Sequence, residues 1–190
     1  SSKITIETFI EDVVNHIIFE NLNNIILVGH SFAGSVISGV ADRLKDRIQK
    51  LIYFDAMILI DGQKPFDITP KETVEQRIEL AKKFGNNISI PAPSADAFGV
   101  FDIKKSLLLE EKLTPHPLSA FQSKLILKNE VGNGIPLSYI FCTKPIYKSL
   151  ESSREVVRKM KWPIFELNAG HDAMLTHPKE TLNLLMKICN

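Results

Sequence analysis

Ser31 stands in Gly29-His30-Ser31-Phe32-Ala33-Gly34, directly after the apolar run Ile25-Ile26-Leu27-Val28 and before a segment with helical spacing. A serine on a tight turn between a buried strand and a helix is the setting of a nucleophile elbow. The turn holds the nucleophile in a strained backbone conformation that only small flanking residues allow, and Gly29 and Ala33 are small. Gly34 would let the helix pack closely on the strand. The backbone N–H of Phe32, at the helix start, is then placed to stabilise an oxyanion. A serine needs a base, and His171 in Ala169-Gly170-His171-Asp172 follows the apolar segment Ile164–Leu167. A histidine after a late strand can lie over the carboxyl edge of a parallel sheet, where Ser31 also sits.

A third group should orient the imidazole, and here the residues leave alternatives. Asp55 ends the run Leu51-Ile52-Tyr53-Phe54 and would emerge at the same edge. Asp172 is second, disfavoured because adjacent side chains rarely form the His–carboxylate bond; Glu151 is third. Of the other histidines, His16 and His177 read as structural or surface groups. His30 should point away from the serine, yet its position beside it puts it with Phe98, Phe101 and His116 among the candidate substrate-binding residues. Phe66 joins them as a possible wall of an apolar pocket. No metal-ligand pattern stands out.

These residues require a particular scaffold. Ile6, Phe9, Ile10, Val13 and Ile17 recur at steps of three and four, one apolar stripe on a helix from Thr5 to about Asn21. Ile25–Val28 is apolar on both parities, as expected of a parallel strand buried on both faces. A helix from Ser35 to about Ile48 and a strand over Leu51–Phe54 complete a right-handed βαβ unit. From Ala56 to about Pro136 the rhythm breaks into helices and irregular loops. Thr69-Pro70-Lys71-Glu72 reads there as a Thr cap, a Pro at the first helical position and a capping-box Glu, for a helix ending at Gly85. Ile103–Leu113 forms a second helix. Ser138–Cys142 as strand, Leu150–Met160 as helix, Ile164–Leu167 as strand and Pro178–Ile188 as closing helix restore the α/β rhythm. The expected organisation is thus a core part over residues 1–55 with the elbow, a helical lid over 56–136 and a core part over 137–190 with His171.

Composition narrows the function classes. The chain has 190 residues, 44% hydrophobic and 24% charged, as in an ordinary globular domain. Its 23 basic and 22 acidic residues leave a formal +1, without the concentrated positive charge of a nucleic-acid binder. Long uncharged runs of a membrane protein are absent. Cys142 and Cys189 are too few for a disulfide framework and read as buried thiols in a reducing, cytoplasmic compartment. The chain opens Ser1-Ser2-Lys3-Ile4, with no Met, basic region or apolar core, so no signal peptide is visible and the natural N-terminus is expected to lie upstream.

The sequence resembles the α/β-hydrolase superfamily, in the branch of plant methylesterases, hydroxynitrile lyases and bacterial salicylate-esterase-like hydrolases. The resemblance rests on Leu27–Gly34, Leu51–Ala56, Asp61-Gly62-Gln63, Leu113–Leu118, Tyr139–Thr143 and Gly170–Pro178. It implies cofactor-free hydrolysis of a small-molecule ester under a helical lid, with Ser31 as nucleophile and His171 as base. The acid that the family places after the Tyr139 strand is absent, for Lys144-Pro145-Ile146-Tyr147 stands there. The lyases carry a lysine directly after the histidine; Asp172 at that position argues against cyanohydrin cleavage. Members also begin with strands and a His-Gly loop that supplies a second oxyanion donor. The expectation is therefore a chain short of its N-terminal strands, completed by an N-terminal complement in cis or as another chain, or working as a homodimer. The leading reading is a serine carboxylesterase; the alternative is a catalytically weak small-molecule-binding relative.

Overall fold

The first apolar stripe forms α1 (Ile6–Phe19), which buries Ile6, Ile10 and Ile17 and packs Phe9 and Val13 beside them. The structure, a computed structural model, describes residues 3–189; Ser1 and Ser2, which enter the reading of the N-terminus, lie outside the described residues. β1 (Ile25–Ser31) is followed by α2 (Ala33–Arg43). The helix stops short of the expected Ile48, and after a 3-10 turn at Lys45–Arg47 the chain is already strand, β2 (Ile48–Ala56). Parallel pairing draws the strand out at this end, since Ile25 aligns with Ile48.

The chain then leaves the sheet through α3 (Pro65–Ile68), α4 (Lys71–Phe84), the short strand β3 (Ser89–Ile90), a 3-10 turn at Ala95–Phe98, α5 (Ile103–Lys112), β4 (His116–Pro117) and α6 (Leu118–Gln122). β3 and β4 pair antiparallel as a ribbon of their own. At two residues each, they are too short to leave a periodic trace in the sequence. Thr69 does not cap α4: Pro70 takes the cap position, and the Thr69 hydroxyl donates back to the Pro65 carbonyl at 2.8 Å. The expected capping box therefore fails, because α3 in the preceding turn offers that hydroxyl a nearer acceptor. The chain rejoins the core with β5 (Leu137–Cys142), α7 (Glu151–Lys159), β6 (Ile164–Leu167), α8 (Ala173–Thr176) and α9 (Pro178–Cys189).

The four long strands form one parallel sheet in the order β1-β2-β5-β6. Successive side chains of β2 and β5 point to opposite faces and build two cores. Leu51, Tyr53, Tyr139 and Phe141 pack with α1, α2 and α7 on one side, and Ile52, Phe54, Ile140 and Cys142 pack with Ile188 of α9 on the other. β1 departs from the expected burial on both faces. It forms an edge of the described sheet, and Val28 is 43% exposed. Because the strands run parallel, their carboxyl ends share one edge, and Ser31, Asp55 and the loop after Leu167 are all found there.

Gly34 sets how closely α2 approaches that edge. A Cβ there would lie 2.5 Å from the Met57 carbonyl oxygen and 2.7 Å from Ala56 Cβ. Since both obstacles are fixed by the strand, Gly34→Val is expected to cost about 1–3 kcal/mol through overpacking. Thermal melts should show a Tm fall on the order of 5 °C; an unchanged Tm would mean that this contact does not constrain the fold.

Candidate active site

From Ile26 to His30 β1 and β2 pair in step, but at their carboxyl ends His30 aligns with Phe54 and Ser31 with Ala56. Asp55 is the extra residue of a bulge, a device that re-aims a side chain. Ser31 and Asp55 both adopt the left-handed region, at φ 55° and 39°. Such conformations cost non-glycine residues of order 1–3 kcal/mol each and persist only where the surroundings over-determine them. Here the Met57 N–H donates to the Ser31 carbonyl at 2.8 Å. The Tyr139 hydroxyl accepts the Ala56 N–H at 2.9 Å and donates to the Ala56 carbonyl at 2.6 Å. One buried phenol thus ties both backbone groups of the residue that follows the bulge.

The bulge brings the Asp55 carboxylate to His171, whose Nδ1 lies 2.7 Å from Oδ2. An ionised carboxylate only accepts, so Nδ1 carries the proton and Nε2 is left as acceptor. Ser31 Oγ lies 2.9 Å from Nε2 and donates to it. The imidazole is buried and flanked by rings, Tyr147 at 4.3 Å and His30 at 4.4 Å between centroids, with Phe98 at 5.7 Å. Its loop is pressed against the insertion: the Phe98 carbonyl accepts the Asp172 N–H, and a Cβ on Gly170 would stand 3.0 Å from Gly99 Cα.

Sequence reasoning missed Arg154. On α7 its Nη2 donates to Asp55 Oδ1 at 2.8 Å and to the Cys142 carbonyl at 3.1 Å, with the side chain 3% exposed. The Cys142 N–H adds a longer contact to the same Oδ1 at 3.4 Å. Asp55 is therefore held on one oxygen by a cation and on the other by His171. A signal was available: Arg154 and Val157 share the buried stripe of α7, and a charge on such a stripe implies a buried partner. The competing carboxylates are engaged elsewhere. Asp172 approaches His30 rather than the His171 ring, at 3.9 Å, and Glu151 pairs with Arg158 and Arg154.

Ser31 opens on a cavity of about 170 Å³ lined by Phe32, Arg77, Phe98, His116, Phe121 and Tyr147 among others. Phe98 and His116 thus stand beside the serine. His30 lines a broader groove of about 590 Å³ on the α1 side, together with Ser31 and His171. It does not point wholly away, because its Nε2–H donates to the His171 carbonyl at 3.0 Å. Phe101 is misplaced by the sequence reading: it is 70% exposed and lines neither space, since it precedes α5 on the outer surface. Phe66 packs on Phe121 behind the cavity, at 5.3 Å between rings. Phe32 occupies the N-cap of α2, where the first N–H groups lack intrahelical acceptors. His30, His171 and Asp172 bring potential metal-ligand atoms within 4.8 Å of one another, but both ring nitrogens of His171 are engaged by Asp55 and Ser31.

Burial tunes the neighbours. It pushes His30 down to about 4, with His171 adding to the effect, and lowers His116. The Asp172 carboxyl is pushed up by the same desolvation.

No family model matches the chain. A carbendazim-hydrolyzing esterase of a Nocardioides species is 31% identical over 93% of this chain and 76% of its own length. The chain belongs to the α/β-hydrolase superfamily. A putative chloroplastic methylesterase of Arabidopsis thaliana is 37% identical over 36% of this chain and 20% of its own length. Among solved structures, an extracellular α/β-hydrolase from a Paenibacillus species, described as sharing structural and functional homology with a tobacco salicylic acid binding protein, superposes with a TM-score of 0.86. It is 28% identical and is covered over 81% of its length, against 99% of this chain. The chain is thus an α/β-hydrolase-type enzyme. Among the described residues no helix is long and apolar enough to cross a membrane.

Two predictions concern stability. Between pH 6.5 and about 4 the unfolded chain protonates His30 while the folded chain does not. Its contribution is present above pH 6.5 and lost as pH falls toward 4; Asp172, raised in the fold, acts in the opposite sense. His30→Gln should therefore reduce the loss between pH 7 and pH 5 by roughly 1–2 kcal/mol, read from denaturant melts at both pH values. Arg154→Met should destabilise by about 3–5 kcal/mol by leaving Asp55 without its cation; a change near zero would show that the pair contributes nothing net.

Proposed function

We propose that the protein is a serine carboxylesterase, acting through an acyl-enzyme on small to medium esters, aromatic ones included. The observation that carries this reading is the relay Asp55–His171–Ser31, at 2.7 and 2.9 Å, ending on a left-handed serine beside an apolar cavity.

In this reading Ser31 Oγ attacks the ester carbonyl carbon as its proton passes to His171 Nε2. Asp55 remains ionised and stabilises the imidazolium through Nδ1. The Phe32 N–H donates to the oxyanion, and collapse of the tetrahedral adduct expels the alcohol, which takes the proton from Nε2. Water then attacks the acyl-enzyme with His171 again as base, releasing the acid and restoring Ser31. Phe98 and His116 line the space for the substrate, and His30 faces the groove on the other side of the serine. Residues 56–136 act as the lid, with residues 1–55 and 137–190 as the core that holds the relay. No step calls for a cofactor.

A binding-only relative needs no carboxylate on the histidine, and Asp55 at 2.7 Å from His171 favours turnover instead. Ser31→Ala should lower kcat on p-nitrophenyl esters by at least about 10⁴-fold, and Asp55→Asn by about the same factor. A fluorophosphonate probe should label the wild type at Ser31, as read by intact mass and peptide mapping. Substantial ester turnover by Ser31→Ala, or an unlabelled Ser31, would overturn the proposal.

A further inference from the structure

The cavity beside Ser31 is walled by apolar groups such as Ile90, Leu113 and Phe121, yet it also holds one cation, Arg77 of α4. Its guanidinium is poorly provided for. Nη2 donates to the Tyr147 hydroxyl at a long 3.3 Å, and Cζ lies 4.9 Å from the centre of the Phe121 ring. Nη1 is shut off from water and has no hydrogen-bond partner. Arg77 also forms no ion pair among the described residues. His116, the other basic group in the lining, has its pKa lowered by burial, and no carboxylate lines the cavity.

A charged donor enclosed by apolar walls is unfavourable unless an acceptor meets it. Arg154 shows how this fold treats a structural arginine: it is buried on Asp55 with a second acceptor from the backbone. Arg77 has neither, and it shares its cavity with the candidate nucleophile. We infer that Arg77 receives its acceptor from the substrate, and that the cavity is built for esters bearing a second, free carboxylate: half-esters of short dicarboxylic acids. A guanidinium fork matches a carboxylate bidentately, whereas an ester carbonyl offers one oxygen. The carboxylate would meet Arg77, the scissile carbonyl would meet Ser31, and the apolar walls would take the carbons between them. For turnover this rests on the esterase reading; for binding it does not.

The test separates the two. In the Ser31→Ala protein, which holds ligand without turnover, calorimetric titration compares monomethyl glutarate with its neutral counterpart methyl pentanoate. The half-ester should bind at least about tenfold more tightly. Adding Arg77→Met should bring the ratio close to one, and Arg77→Lys, which keeps the charge without the fork, should give an intermediate ratio. Circular dichroism and Tm identify any variant that fails to fold, in which case the Lys variant decides. Equal affinities, a preference that survives both substitutions, or no binding of the half-ester would overturn the inference. Wild-type turnover of the p-nitrophenyl monoester of glutaric acid and of p-nitrophenyl pentanoate is measured alongside. A binding preference without turnover of either overturns the esterase reading alone, and turnover without any preference overturns this inference alone.

Discussion

The slip of one residue between β1 and β2 at their carboxyl ends fixes everything that follows at the site. In continuous register Asp55 would be one more sheet residue between Phe54 and Ala56, its side chain assigned to a face by alternation. The bulge removes it from that alternation and leaves its carboxylate on His171. Both Ser31 and Asp55 must then take left-handed backbone conformations on neighbouring strands. The strain is contained by packing and hydrogen bonds that have no other evident role: the close seat of α2 on Ala56 and Met57, and the paired bonds from Tyr139 to Ala56. A site assembled this way depends on the core beneath it, because buried Tyr139 ties the residue that follows the bulge.

Charge is handled by the same economy of contacts. Asp55 is fully buried, where an unpaired charge is costly. Arg154 on one oxygen and the His171 N–H on the other supply its partners, and the backbone contact from Cys142 supplements them. That arrangement also fixes the tautomer of His171, and so decides that Nε2 faces Ser31 as an acceptor. His30, lowered by burial and by the neighbouring His171, adds little positive charge beside the imidazole at neutral pH.

What could be read in the sequence divides along the line between local and non-local causes. The elbow at Ser31 is local, written in small residues between an apolar strand and a helix, and His171 is marked by its place after a late strand. The strands and most helices follow from periodicity, with ends displaced where pairing or a competing acceptor intervened, as at Ile48 and Thr69. Asp55 could be named from its place at a strand end, but the bulge that delivers it is a property of two strands together. Arg154 and Arg77 sit on helical positions whose neighbours at three- and four-residue steps, such as Val157 and Ala81, are buried. Only the fold shows that one of these arginines has found a carboxylate and the other has not. Phe101 shows the converse error, an aromatic residue assigned to a pocket on composition when its segment faces outward.

The insertion between β2 and β5 both lines the cavity beside Ser31 and meets the loop of His171. Phe98 and Gly99 touch the loop that carries His171, through the bond from the Asp172 N–H and the close approach to Gly170. The same segment contributes Phe98 to the cavity, and α4 contributes Arg77. The position of His171 and the shape of the cavity are thus set by one stretch of chain, while Ser31 and Asp55 belong to the sheet. Changes within the insertion that preserve the Gly99–Gly170 contact can alter the cavity without displacing Asp55 or Ser31. Changes at that contact act on His171 directly. The selectivity of such a protein can therefore vary through α4 and the β3–β4 ribbon while its relay stays fixed, and the lone cation of the cavity lies on the element that is free to vary.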